Sequence, residues 1–246
     1  MLDLLCLDAM SEAPLITRNL DQVLEKIAVA AGVAGRSTEE IQLVGVTKYV
    51  NTDVARMLFE AGCSTLGESR PQELWRKSDC LNTLSVNWHL IGHLQTNKVR
   101  RTLPQVALIH SVDSVRLLEA IEKEAVGISQ TIRVLLEVNV SGDVSKHGFL
   151  PTAAEQLISK LVNYPHVKVC GLMTMASLRG DKDQARSDFS RLRNLRDRWQ
   201  LDCPPGVSLQ ELSMGMTRDF EQAIQEGATM VRVGSALFEG LKSNRD

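Results

Sequence analysis

Leu43-Val44-Gly45-Val46-Thr47-Lys48 is a short apolar run that ends on a lysine, and an amphipathic helical pattern at 53–61 comes after it. Nearly continuous apolar character over so few residues fits a parallel strand covered by helices on its outer side. The two segments therefore make one βα unit. Further strand-like runs recur at 64–67, 87–92, 106–111, 131–139, 167–174, 208–213 and 229–234. Helical patterns separate them at 71–80, 94–101, 114–126, 151–162, 183–199 and 218–226, with a last one after Ser235.

Roughly eight such units match a (β/α)8 TIM barrel, and no Pro/Gly/Ser-rich linker marks a second domain. Upstream, Leu20, Val23, Leu24, Ile27 and Ala31 follow helical rhythm up to Gly32, which adds an extra N-terminal helix. The fold class is α/β, one barrel domain over 1–246, with residues 1–13 expected as a disordered extension. An open doubly wound sheet is the alternative, but its G-x-G-x-x-G fingerprint after the first strand is missing.

With 43% hydrophobic residues, the 246-residue chain buries a sizeable core. A net charge of -2 supplies no global field for nucleic acid or an anionic membrane. The five cysteines are scattered and never in C-x-x-C spacing, which reads as reduced thiols in a cytoplasmic protein. Asp3 and Asp8 interrupt the apolar N-terminus and the first basic residue is Arg18, the wrong charge order for a signal peptide. No apolar run approaches the length of a membrane span.

In a barrel the loops at the C-terminal strand ends build the active face, and those after strands seven and eight commonly bind phosphate. Ser213-Met214-Gly215-Met216-Thr217 and Gly234-Ser235 fall there. Thr217 suits the N-cap of the next helix, Phe220, Ala223 and Ile224 its apolar stripe, and Gly227 its stop. Free amides at such a start face an anion, although an ordinary capped helix fits the same spacing. Lys48 projects toward the same mouth, where partial burial makes an amine nucleophilic; a solvated loop lysine is the bland alternative. Arg232, flanked by Val231 and Val233, needs an acceptor, either a structural salt bridge or a ligand. Together these are the groups that hold pyridoxal phosphate (PLP) as a Schiff base.

His89 and His93 stand four apart, but the Ile91-Gly92 turn between them breaks the helical geometry of a zinc pair, so no metal site is expected. Asn139, Ser141, Ser145, Lys146 and His147 crowd what reads as a mouth loop. The arginines of 186–199 alternate with Asp188 and Asp197, as on a solvated helix face.

These landmarks resemble the pyridoxal phosphate homeostasis protein family, whose members are barrels similar to the N-terminal domain of alanine racemase. The resemblance rests on Val46-Thr47-Lys48, Gly67-Glu68, Trp88-His89-Leu90-Ile91-Gly92, Gly171-Leu172-Met173-Thr174-Met175, Leu212-Ser213-Met214-Gly215-Met216 and Val231-Arg232-Val233-Gly234. It implies that Lys48 forms the Schiff base, that Ser213, Thr217, Gly234 and Ser235 hold the phosphate, and that Arg232 meets the pyridine nitrogen. Met214 and His89 are then pocket residues, as is Ser69, which stands where the family usually has Asn.

The resemblance thus implies a monomeric cofactor carrier in PLP homeostasis rather than an enzyme, with no metal and transient contacts to PLP-accepting proteins. A minor amino-acid racemase is the alternative, because barrels of this type do such work with a second base, a tyrosine from an added domain. Here the only tyrosines are Tyr49, expected to point away from Lys48, and Tyr164, expected at the opposite barrel end.

Overall fold

The computed structural model describes residues 2–143, 146–177, 180–205 and 207–241, the side chains of residues 2–11 aside. Strands β1 (Gln42–Val46), β2 (Thr65–Glu68), β3 (Asn87–Leu90), β4 (Leu108–Val112), β5 (Ile132–Glu137), β6 (Val167–Met173), β7 (Glu211–Met216) and β8 (Met230–Val233) close in chain order. Every pairing is parallel, and β8 returns to β1 through Gln42↔Met230 to Gly45↔Val233. That closure excludes an open sheet and leaves no strand edge exposed.

Outside lie α1 (Leu2–Val33), α2 (Thr52–Glu60), α3 (Pro71–Cys80), α4 (Val99–Thr102), α5 (Val115–Ile128), α6 (Pro151–Ile158), α7 (Lys182–Leu201) and α8 (Phe220–Gln225). Caps start several of them: Asn51 accepts from the Val54 amide at 3.0 Å, and Asp181 from Asp183 and Gln184. The apolar stripe Val54, Ala55, Leu58 then buries α2 against the sheet. None of the described helices is long and apolar enough to cross a membrane.

Among the described residues β8 is followed by a short 3-10 turn, Ser235–Phe238, and α1 packs against that turn and α8. Ile16, Leu20, Val23, Ile27 and Ala31 form its buried stripe. Asn19 fastens it by donating to the carbonyls of Leu237 at 3.3 Å and Glu239 at 2.9 Å. The helix starts at Leu2, well before the amphipathic rhythm, and carries Pro14 inside it. The expected extension at 1–13 falls mostly where side chains lie outside the described residues.

Two apolar layers fill the molecule. Leu108, Leu135, Cys170, Met173 and Met230 pack inside the barrel, and a larger layer lies between sheet and helices. Above the inner layer, toward the C-terminal strand ends, the lumen turns polar.

Candidate functional site

Arg232 faces the lumen from β8 and is only 4% exposed. Its Nη1 donates to Ser213 Oγ at 2.5 Å and its Nη2 to the Thr174 carbonyl at 2.9 Å. Both partners are neutral. Burial pulls the guanidinium down to about 10, opposed by the charges of Glu137 and Asp219, so it stays cationic at neutral pH. Five N–H donors against two contacts leave it able to serve an acceptor at the mouth.

Ser213 Oγ also meets His110 Nδ1 at 2.8 Å, and His110 Nε2 meets His89 Nδ1 at 2.9 Å. The chain His89–His110–Ser213–Arg232 thus crosses the lumen. Burial pushes His89 down to about 4 and His110 well below its usual value, so both imidazoles are neutral in the fold at neutral pH. Glu137 ends β5 nearby; burial, then the charge of Asp113, pushes it up to about 7 against the pull of Arg232 and His93.

These groups set a pH dependence for the cofactor-free protein. Between about pH 4.5 and 6.5 the unfolded chain protonates two imidazoles that the barrel keeps neutral, which removes stability as pH falls. Glu137 acts in the opposite sense, because the barrel holds its proton where the unfolded chain releases it. Asp219, also raised by burial, opposes at the acid end. Two protons against one leave a net loss of at most about 1.4 kcal/mol per pH unit. Glu137→Gln removes the opposing proton and should steepen that acid-side loss toward twice the wild-type slope in denaturant titrations. An unchanged slope would show that these lumen groups do not govern the profile.

The mouth itself is built by β1 and β8. Their register sets Gly45 beside Val233, so the turn carrying Lys48 leaves β1 next to Gly234 and Ser235. Gly234 donates its amide to Thr217 Oγ1 at 3.3 Å. A Cβ on Gly234 would press on Val46 at 3.3 Å, so glycine lets the two strand ends approach. Ser235 is exposed, Thr217 half-buried, and Lys48 exposed with Nζ 4.8 Å from the centre of the Tyr49 ring.

Several expectations change here. Strand β7 ends at Met216, three residues later than its sequence pattern suggests, so Ser213 and Met214 belong to the strand and not to a phosphate loop. Ser213 is fully buried, and its hydroxyl meets His110 and Arg232, so in this structure it supports the arginine. Met214 alternates to the outer face, into the apolar layer with Phe220, Ala223 and Ile224, and does not line the lumen. Thr217 does not cap α8. That position is Asp219, whose Oδ1 accepts from the Met216 amide at 2.6 Å, while Gly215 turns the chain with φ +88°.

Lys48 is not partly buried, and Tyr49 does not point away, because both lie in a turn beyond β1 where strand alternation no longer holds. His89 is buried in the lumen, whereas His93 lies outside it on an exposed loop, so the two diverge. Ser69 sits half-buried in the bend after β2, at the mouth. Ser145 lies outside the described residues.

Residues not anticipated from sequence include His110, Glu137 and a buried ion pair. Lys77 of α3, 1% exposed, donates from Nζ to Glu68 Oε1 at 2.5 Å and to the Thr47 carbonyl at 2.7 Å. Thr47 Oγ1 donates to the same carboxylate oxygen at 2.7 Å. The peptide that leads into Lys48 is therefore clamped from below.

The sequence profile described as the alanine racemase N-terminal domain matches residues 19–242. A pyridoxal phosphate homeostasis protein of Aquifex aeolicus is 42% identical over 219 residues, 89% of this chain and 95% of its own. The chain belongs to the pyridoxal phosphate homeostasis protein family. Another family member, from Pseudomonas aeruginosa, is 35% identical across 91% of this chain and 94% of its own. Among solved structures, PipY of Synechococcus elongatus with PLP bound superposes with a TM-score of 0.77 at 32% identity, covering 86% of this chain and 99% of PipY. Alanine racemase of Clostridium difficile shares the fold, with a TM-score of 0.71 at 17% identity; the match covers 92% of this chain and 58% of the racemase. The family assignment thus agrees with the barrel built above from its strands.

Proposed function

We propose that this chain binds pyridoxal 5'-phosphate at the barrel mouth, captures it through Lys48, and acts in PLP homeostasis as a monomeric cytoplasmic carrier rather than an enzyme. The observation that carries this reading is the β1–β8 register, which sets the Lys48 turn against Gly234, Ser235 and Thr217 over a buried arginine. The names of the relatives and the PLP held by PipY support it.

Pyridoxal phosphate supplies an aldehyde open to a lysine amine and a pyridine ring that stores electrons when its nitrogen is protonated. Lys48 contributes the amine from an exposed turn. Thr217 and the amides of Gly234 and Ser235 would hold the phosphate; Thr217 Oγ1, which now accepts from the Gly234 N–H, lies beside those amides. Arg232 would supply an N–H to the ring nitrogen and, as a cation, would disfavour its protonation. A racemase also needs a base facing the lysine across the bound ring. Tyr49 stacks on Lys48 itself, and Tyr164 lies before β6 at the opposite barrel end.

The arginine-rich face of α7 adds little to partner binding. Arg193 pairs with Glu226 at 2.9 Å, Arg198 with Glu155 at 3.2 Å, and Arg186 with Gln225 and Glu226. Asp188 is buried and accepts from the Ser177 amide and hydroxyl, so it anchors the loop after β6 instead of diluting a surface charge.

Thr217→Val is expected to weaken PLP capture about tenfold, since a hydrogen bond to a charged group contributes roughly 1.5–3 kcal/mol. Equilibrium dialysis reads this directly, and wild-type affinity in the variant would remove Thr217 from the cradle. Against a panel of L- and D-amino acids, the wild type is expected to show no racemisation or transamination. Robust turnover that disappears in Lys48→Ala would make the protein an enzyme.

A further inference from the structure

Beside the mouth, three loops bring together side chains that the cofactor reading leaves unused. His93 comes after β3, Asp113 after β4, and His147 lies between β5 and α6. Asp113 Oδ2 stands 2.8 Å from His93 Nδ1 and 3.8 Å from His147 Nδ1. The two imidazoles stack, centroids 4.9 Å apart at 21°. One ligand atom from each residue lies within 4.8 Å of the others.

We propose that His93, Asp113 and His147 form a binding site for a divalent transition-metal ion of the zinc class. This site stands independently of the PLP reading. Two imidazole nitrogens and one carboxylate oxygen suit Zn²⁺, Co²⁺, Ni²⁺ or Cu²⁺, and are a poor set for Mg²⁺ or Ca²⁺, which prefer oxygen. Metal–ligand bonds of about 2.0–2.1 Å put tetrahedral donors about 3.3 Å apart. The two distances to Asp113 straddle that separation. The remaining closure requires the two rings, 47% and 66% exposed, to unstack and turn their nitrogens toward a common point.

Asp113 is prepared for the task. It is 9% exposed, and its Oδ1 accepts from Ser114 Oγ at 3.1 Å, which turns Oδ2 toward both histidines. Lys146, the cation next to His147, is drawn away: its Nζ donates to the carbonyls of Met175 at 3.1 Å and Ala176 at 2.9 Å and to Ser141 at 3.2 Å. Those bonds also anchor the loop that carries His147. A carboxylate at the focus repels an anion, so the cluster favours a cation. With three protein ligands, a fourth position stays open on the same barrel face as Lys48.

The test uses untagged, chelator-treated full-length protein and Co²⁺ as the probe, with Zn²⁺ competition read by calorimetry. One equivalent of Co²⁺ should give visible d–d bands of a four- or five-coordinate ion, without a near-ultraviolet thiolate band, and Zn²⁺ should displace it. His147→Ala, on an exposed loop where folding is undisturbed, and Asp113→Asn should each weaken Zn²⁺ at least about tenfold, as loss of even an outer partner of a metal ligand does. Spectra of hexa-aqua cobalt only, a thiolate band from cysteine binding, or variants that bind like wild type would each overturn the proposal.

Discussion

Alanine at position 48 is expected to abolish the visible absorbance that PLP acquires on wild-type protein, while binding of the cofactor stays measurable. Two sets of contacts are at stake, and only one passes through the lysine amine. Lys48 lies on an exposed turn beyond β1, whereas Thr217 and the Gly234 amide meet at 3.3 Å independently of it. Arg232 is held in the lumen by Ser213 and Thr174, also without Lys48. Charge-assisted bonds of this kind contribute roughly 1.5–3 kcal/mol each, enough for an affinity that dialysis detects. A Lys48→Ala protein that retains the wild-type spectrum would remove Lys48 from the site. One that loses all binding would show that the phosphate cradle is misplaced.

The largest effect on stability should come from Lys77→Met. Lys77 and Glu68 are 1% and 0% exposed, so each depends on the other for compensation, and Glu68 Oε2 has no hydrogen-bond partner among the described residues. Removing one member of a buried pair leaves the other charge stranded and costs about 3–5 kcal/mol. Replacing both by apolar residues of similar volume is often neutral, so Lys77→Met with Glu68→Leu should recover most of the loss. Urea unfolding of the two single variants and the double variant measures the coupling. Because Lys77 also binds the Thr47 carbonyl, the single change should loosen the turn that presents Lys48 and slow PLP capture. A Lys77→Met protein as stable as wild type would show that the pair contributes nothing.

How much of the fold and site is legible in the sequence depends on where each residue sits along its strand. Apolar runs locate most strands to within a few residues, because parallel strands buried on both faces have a composition that loops lack. β7 is the exception: Gly215 between two methionines reads as a turn, yet the strand continues through Ser213 and Met214, with its register to β8 shifting between Ser213 and Met216. The strand runs three residues past its apolar pattern, so alternation along it, and not a loop, sets Ser213 toward the lumen and Met214 into the outer layer. Arg232 is legible as a charge inside an apolar run. His110 and Glu137 carry the same signal in Leu108–Val112 and Ile132–Glu137, but only the barrel's closure shows that they share a lumen with it. The His93–Asp113–His147 cluster has no sequence signal, since its members come from three loops with no fixed spacing.

Capture of PLP by one particular lysine is read most simply by borohydride reduction of the protein with PLP, followed by peptide mapping of the labelled residue. One stable adduct is expected, on Lys48, from the turn between β1 and α2. An adduct on Lys146, Lys77 or any other lysine, with Lys48 unmodified, would contradict that assignment.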